Sequence, residues 1–189
     1  MELETLRDLY VGELKDLYSA ENQLVKALPK MVKAATAKSL KNGFQKHLQE
    51  TKIHVARLKE IFSAMGVSPG SKKCKAMEGL ISEGQEIIEE DAEPEVRDAA
   101  LIAAAQRVEH YEMAGYGCVR TYAELLGEKG AAKILQKTLN EEGATDKKLT
   151  QLASRINVNA EEPAKKPGRR TKGQSKPIGR RILEAVGID

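Results

Sequence analysis

The spacing of apolar residues constrains the fold of this chain more than any other feature. From residue 3 to about residue 156, apolar side chains recur at every third or fourth position, as in an amphipathic α-helix, and do not alternate as in a strand. The same segment is rich in Ala, Leu, Glu and Lys, which favour helices. The pattern predicts an all-α protein with four long helices at about residues 3–37, 39–65, 94–127 and 128–156.

Local signals predict where these helices begin, bend and end. Ser39 is of a type that caps a helix start, and Pro94 suits a first turn. Gly66 and Gly127 can adopt the left-handed conformation that ends a helix. Pro29 lies within the first helix, where we expect it to bend the helix without ending it.

The connection between the second and third long helices determines the predicted topology. Short turns near residues 38 and 127 make the first two helices, and the last two, antiparallel neighbours. Residues 67–93 form a longer connection that contains the amphipathic stretch KAMEGLISEGQEIIEE, and it is long enough to cross the roughly 40 Å length of a long helix. The sequence therefore predicts a ferritin-like four-helix bundle, in which two antiparallel hairpins are joined by a long crossover containing a short helix.

Acidic residues interrupt the apolar stripes of this predicted bundle. Read at a seven-residue spacing, three of the long helices carry Glu21, Glu112 and Glu142 in the middle of an otherwise apolar stripe. The second helix instead places His47 and His54 on its stripe, with an acid one turn away. The candidate metal ligands on or beside these stripes are Glu21, Glu50, His54, Glu109, Glu112, Glu142 and Asp146.

Several carboxylates converging on one core require a neutralising partner, because desolvation penalises each buried ion and like charges repel one another. Few Lys or Arg side chains are placed to neutralise them, whereas two metal ions would do so directly. Di-iron and di-manganese bundles take one Glu from each of two helices and a Glu–His pair from each of the others. Oxygen-rich ligands favour Fe and Mn. We therefore expect two Fe or Mn ions, with these assignments: Glu21 and either Glu112 or Glu109 as single carboxylates, and Glu50/His54 and Glu142/Asp146 as paired ligands at an i, i+4 spacing.

The same residues also allow a plainer interpretation. A single Glu can be solvated at the edge of its helix, because helical phase drifts by about 20° per heptad. His47 and His54 can each be a metal ligand or a hydrogen-bonded core histidine, and we interpret His110 as a non-ligand. Cys74 and Cys118 have no Cys or His at ligand spacing and are interpreted as packing residues. The tyrosines are expected in the core, with two candidates for a hydrogen bond beside a metal centre, Tyr18 and Tyr111.

Five strings between about residues 3 and 157 are distinctive: YSAENQL from Tyr18, HLQET from His47, KAMEGLISEG from Lys75, EVRDAALIAAAQRVEHYEMAGYG from Glu95 and LNEEGATDKKLTQLA from Leu139. Together they resemble the YciE/YciF-type bacterial stress proteins. The resemblance implies a ferritin-like bundle related to rubrerythrin-type proteins, a dimer, a role in stress responses and a candidate di-metal centre. Two positions depart from the family pattern, His54, where Gln often stands, and Gly143, where Lys is usual. The acidic positions of the pattern match Glu21, Glu50, Glu109, Glu112 and Glu142, and His47 matches its histidine.

The net charge of +3 is distributed unevenly along the chain. Residues 1–160 contain 23 Lys and Arg against 24 Asp and Glu, whereas residues 161–189 contain 8 against 4. Residues 163–183 hold all eight of these cations and no acid, which is typical of a flexible tail. The sequence therefore predicts a helical domain at residues 1–160 and a basic, flexible tail at residues 161–189, outside the family resemblance.

Cysteine content and charge distribution indicate a location. Two cysteines allow at most one disulfide, which fits a reducing compartment. No stretch of about 18 residues lacks charge, so we expect no membrane span. The N-terminal MELETLRDLY is acidic where a signal peptide is basic. These features predict a cytoplasmic protein.

Two functions compete on this sequence. The acids predict a di-metal oxidoreductase, similar to peroxidases or oxidases, that handles peroxide, oxygen or iron. The alternative is a non-catalytic dimeric scaffold or binding protein whose basic tail contacts nucleic acid or another polyanion. No aromatic residue lies between the tail cations to stack on bases, which favours a solvated linker.

Overall fold

The computed structural model describes residues 3–161, which contain five α-helices and no strand. Their bounds are α1 Leu6–Ala34, α2 Lys38–Ala64, α3 Lys75–Glu89, α4 Pro94–Leu125 and α5 Lys129–Glu161. The prediction of an all-α protein with four long helices and a short helix in the crossover is therefore confirmed. The predicted basic tail falls on residues 162–189, outside the described part, and only Glu161 of it is seen, as the last residue of α5.

Side-chain contacts show that the four long helices form two antiparallel hairpins. In the first hairpin Tyr18 of α1 packs against Phe62 of α2, near the end of α2. In the second, Gln106 of α4 donates a hydrogen bond to Thr150 of α5, near the far end of α5. Helix α3 packs against α1 and α4 while it carries the chain from the end of one hairpin to the start of the other. The predicted topology of two hairpins and one crossover is confirmed.

The helix ends follow the predicted signals except at α2. Pro29 lies inside α1, Pro94 stands in the first turn of α4, and Gly66 and Gly127 adopt positive φ angles of 64° and 78° just after α2 and α4. The prediction that Ser39 caps α2 is wrong, because the residue at the N-cap is Ala37 and makes no side-chain hydrogen bond.

A carboxylate from another helix stabilises the α1–α2 turn instead. The buried Asp98 of α4 accepts hydrogen bonds from the backbone amides of Thr36 and Ala37, each at 2.7 Å. This contact spans about sixty residues of sequence, so a local signal could not reveal it. It ties the start of α4 to the turn of the first hairpin.

The apolar core is divided into two clusters along the length of the bundle. One cluster contains Leu28 and Leu40 and lies toward the α1–α2 turn. The other contains Leu14 and Ile61 and lies toward the opposite end. Buried acids and histidines occupy the level between them, beginning with Glu21 on α1. Among the described residues no helix is both long enough and apolar enough to cross a membrane.

Candidate metal centre

All four long helices contribute a polar side chain to one buried cluster. We call it the acidic cluster, and each member is at most 3% exposed. It follows from the periodicity of the helices, because each member lies on the stripe that faces the bundle interior. Its members are Glu21 of α1, His47 and His54 of α2, Glu109 and Glu112 of α4, and Glu142 of α5.

The acidic cluster divides into two sets of potential ligand atoms that share one carboxylate. In each set, every residue offers one nitrogen or oxygen atom, and these atoms all lie within 4.8 Å of one another. The shared residue is Glu142. One set adds Glu21 and His54, and the other adds His47, Glu109 and Glu112.

Several of these atoms are close to one another without being hydrogen-bonded. His54 Nδ1 lies 2.9 Å from Glu142 Oε1 and 3.3 Å from Glu21 Oε1, and His47 Nε2 lies 3.2 Å from Glu109 Oε1. Both histidine nitrogens nevertheless lack a well-aligned hydrogen-bond partner. Both carboxylate oxygens of Glu112 and of Glu142 are also buried without a partner. Such orphaned atoms are rare in folded proteins, because each costs the free energy of its lost hydration.

Neighbouring side chains fix the orientation of His54. Its Nε2 lies 3.0 Å from Glu141 Oε2, and Arg57 holds that carboxylate with two hydrogen bonds of 2.5 and 3.0 Å. Because Glu141 can only accept a hydrogen bond when ionised, Nε2 carries a proton. The Nδ1 atom therefore faces Glu21 and Glu142.

One tyrosine contacts the acidic cluster directly. The hydroxyl of the buried Tyr116 donates a 2.5 Å hydrogen bond to Glu21 Oε1. This tyrosine is not one of the two predicted candidates. Tyr18 packs edge-on against Phe62, and Tyr111 donates to Asp16 and lies 3.0 Å from the sulfur of Cys74.

Burial and mutual repulsion raise the pKa values of three carboxyl groups in the acidic cluster. Desolvation raises the pKa of Glu21 from 4.5 to about 7, with the charge of Glu142 adding to the effect. Desolvation and neighbouring carboxylates likewise raise the pKa values of Glu109 and Glu112 well above their usual range. Glu21, Glu109 and Glu112 therefore cannot all ionise cheaply in the metal-free protein.

The two histidines respond in opposite directions. Burial lowers the pKa of His47. Burial also disfavours the charged form of His54, but the adjacent Glu142 and Glu21 outweigh it and raise the pKa of His54 to about 10. In the metal-free protein His54 is therefore a cation at neutral pH, and its proton neutralises part of the acidic cluster.

Two of the predicted ligands lie outside the acidic cluster. Glu50 is about one-fifth exposed and pairs with Lys46 at 2.5 Å. Asp146 is similarly exposed, lies 3.3 Å from His110 and accepts a hydrogen bond from Gln106. The structure brings together the remaining predicted ligands, Glu21, His54, Glu109, Glu112 and Glu142.

His47 joins the acidic cluster, although the sequence left its role open. The available signal was its seven-residue spacing from His54, which places both rings on one stripe.

The interpretation of the cysteines as packing residues holds for the buried Cys74, whose sulfur accepts a hydrogen bond from the amide of Met77 at the start of α3. It is wrong for Cys118, which is exposed because it lies on the outer side of α4.

A cavity of about 380 Å³ leads to the acidic cluster from the surface between α2 and α5. We call it the α2–α5 cavity. Its inner end reaches His47 and Glu109, and its outer rim includes Lys46, Lys148 and Arg155. The acidic cluster is therefore buried but accessible from one side.

The fold and the site together define the class of this protein, an α-helical bundle with a buried cluster of carboxylates and histidines. Comparison with known proteins gives the family. Residues 5–161 match the family described as Domain of unknown function (DUF892), and the chain belongs to this family.

Its relatives share the sequence over most of the chain. Protein YciF of Escherichia coli (strain K12) is 48% identical over 166 residues, which cover 87% of this chain and all of YciF. The crystal structure of the E. coli stress protein YciF matches with a TM-score of 0.80 and 47% identity, covering 82% of this chain and 98% of that one. A structure of YcfI from Rhodopseudomonas palustris matches with a TM-score of 0.76 and 43% identity, and the match covers 79% of this chain and 95% of the YcfI chain. These matches confirm the resemblance found in the sequence.

Proposed function

We propose that this chain is a stress-response protein that binds two Fe or Mn ions in the acidic cluster and uses them to handle peroxide, oxygen or iron. The observation that carries the proposal is the buried carboxylates and histidines whose potential ligand atoms lie within 4.8 Å of one another. Several of their oxygen and nitrogen atoms, including both oxygens of Glu112 and of Glu142, have no hydrogen-bond partner. The stress role is inferred from the stress protein YciF, with which the chain shares 47% identity.

The donor set fits two cations. Glu142 is common to both ligand sets, so it would help to hold both ions. His54 can offer Nδ1 because Glu141 holds the proton on Nε2, an arrangement that commonly orients histidine ligands. With four carboxylates and two imidazoles, the donor set favours Fe or Mn over metals that prefer thiolates.

The residues of the acidic cluster supply the conditions for redox chemistry, which the bound metal would perform. The surrounding apolar side chains exclude water, and the α2–α5 cavity leaves one approach at His47 and Glu109. The protons held on His54 and on the carboxyl groups of raised pKa must leave when cations bind. Metal binding should therefore weaken as the pH falls.

Metal content is the direct test of this proposal. The full chain, purified without chelator and then loaded anaerobically with Fe(II) or aerobically with Mn(II), is analysed by native mass spectrometry and elemental analysis. We expect two ions per chain in the wild type and at most one in Glu142→Gln, which alters the shared ligand. Glu60→Gln, which neutralises an exposed acid on α2, is the matched control and should retain two.

A loaded protein that consumes peroxide, with Glu142→Gln inactive, would support the redox role. Less than about a tenth of an ion per chain after loading would refute the proposal. The dimer implied by the family resemblance stays a prediction, which light scattering can test. The polyanion-binding alternative rests on the tail, outside residues 3–161, and no contact of the described residues favours it.

A further inference from the structure

The α2–α5 cavity has the composition of a binding site for an amphiphilic molecule. Its volume of about 380 Å³ lies within the range of small-molecule pockets, roughly 300–1,000 Å³. Its walls are mainly aliphatic and aromatic, with Leu24, Leu28, Phe44, Leu149 and Leu152 among the buried lining residues. Such walls favour an apolar ligand body.

The length of the cavity follows from the residues at its ends. Its lining residues on α2 extend from Ser39 to Glu50, which corresponds to roughly 16 Å of helix. This distance suits an extended chain of medium length better than a compact ring. The inner end of such a chain would lie beside His47 and Glu109.

The rim of the cavity carries uncompensated positive charge. Lys46 is paired with Glu50, but Lys148 and Arg155 are exposed and form no ion pair with any carboxylate of residues 3–161. A cationic rim above apolar walls favours a ligand with one anionic end. It disfavours the chain's own tail, because residues 163–183 carry eight Lys and Arg and no acid.

We propose that the α2–α5 cavity binds a medium-chain monocarboxylate, with its carboxylate at Lys148 and Arg155 and its alkyl chain directed toward the acidic cluster. That this ligand is also the substrate or a regulator of the metal centre rests on the proposed function. Binding itself depends only on the walls and rim of the cavity, so it can be measured in metal-free protein.

Calorimetric titration of the full chain in chelator with hexanoate, octanoate and decanoate tests the proposal. Affinity should increase by about fourfold for each methylene that enters the cavity, because the alkyl chain leaves water. Decylamine has a similar chain and the opposite charge, so it should bind more weakly than decanoate. Equal affinity for decylamine and decanoate would overturn the assignment of the rim.

Two pairs of variants locate the site. Gly43 lines the cavity, and a Cβ there would meet only Leu152 Cδ1, at an ordinary 3.6 Å. Gly43→Leu should fill the cavity and weaken decanoate binding at least tenfold, whereas Gly43→Ala should leave it within twofold. Both substitutions favour the helix, so loss of folding is not expected, and circular dichroism checks this.

The second pair tests the charges. The double variant Lys148→Ala/Arg155→Ala should weaken decanoate binding about fivefold, as expected for two exposed charge interactions. Lys137→Ala/Lys147→Ala removes the same charge from exposed positions of α5 outside the cavity and should leave binding unchanged.

The results separate this proposal from the metal proposal. If the wild type binds two metal ions but no decanoate, the ligand proposal is wrong and the metal centre stands. If decanoate binds to the cavity but no metal is retained, the metal proposal is wrong and the ligand proposal stands. If decanoate does not bind and Gly43→Leu converts a dimer into a monomer in light scattering, a second copy of the chain occupies the cavity and the ligand proposal is wrong.

Discussion

Replacing Glu21 by Gln should stabilise the metal-free protein at pH 8. Glu21 is completely buried, and its Oε2 atom has no hydrogen-bond partner. Gln has nearly the same shape, and its carbonyl oxygen can still accept the hydrogen bond from Tyr116. The substitution therefore removes a buried charge without creating a cavity.

The size of the effect follows from the raised pKa of Glu21. Its pKa changes from 4.5 to about 7 on folding, so between these values the folded protein binds more protons than the unfolded chain. Stability then falls as the pH rises through this window, and at pH 8 the ionised side chain costs at most about 3 kcal/mol. At pH 4.5 the group is protonated in the folded state and half ionised in the unfolded chain, so the gain from Gln falls to about 0.4 kcal/mol.

Thermal unfolding in chelator at pH 8 and pH 4.5 measures this difference. A gain of 3 kcal/mol corresponds to roughly 6–12 °C for a chain of this size. The exposed control Glu60→Gln should differ little from the wild type at either pH. With saturating Mn(II) the order should reverse, because the wild type gains more stability from the ion than a variant that lacks a ligand. A Glu21→Gln protein that is less stable than the wild type at pH 8 without metal would refute the reasoning.

Three further predictions concern single positions. Gly143→Ala should stabilise the protein by up to about 1 kcal/mol, because Ala has a higher helix propensity than Gly. Gly115→Ala should not stabilise it, because the added Cβ would lie 2.8 Å from Leu17 Cδ2. Chemical denaturation of both variants measures the difference. Asp98→Ala should destabilise the protein by about 2–4 kcal/mol, since two amides of the α1–α2 turn lose a charged acceptor, and thermal unfolding would show this. Glu141→Gln should weaken Mn(II) binding about 10- to 100-fold without removing a ligand, as measured by competitive titration with a chelator.

The helices were predictable because burial along a helix repeats with a fixed period. The crossover was predictable from its length, since a connection of this size is needed only between distant helix ends. The N-cap of α2 was not, because the capping carboxylate comes from Asp98 on another helix. Ser39 is of a residue type that caps helices, but the amides of Thr36 and Ala37 donate their hydrogen bonds to Asp98 and α2 begins before Ser39.

The acidic cluster was predictable to the extent that helical phase can be read from sequence. Glu21, Glu112 and Glu142 lie at the centre of their stripes and are buried. Glu50 and Asp146 lie one turn away from cluster members, and this offset brings them to the bundle surface, where Lys46 and His110 pair with them. A helix rotates by about 100° per residue, so a residue three or four positions from a cluster member is offset from it by about 40–60° and can lie either in the interior or at the surface. Sequence spacing alone could not separate the two outcomes.

The position of the acidic cluster in the core supports the proposal that it binds metal ions. It interrupts the core between two apolar clusters, at a level where Leu side chains would continue the packing of both. Buried ionic groups that could be replaced by apolar ones commonly reduce stability. Local rules of this kind are broken mainly at functional sites. Arg57 and Glu141 would have no role in an apolar core, yet they hold His54 with its Nδ1 facing two carboxylates. A partner that orients the ring in this way is common for histidines that bind a metal, which supports the proposed metal centre.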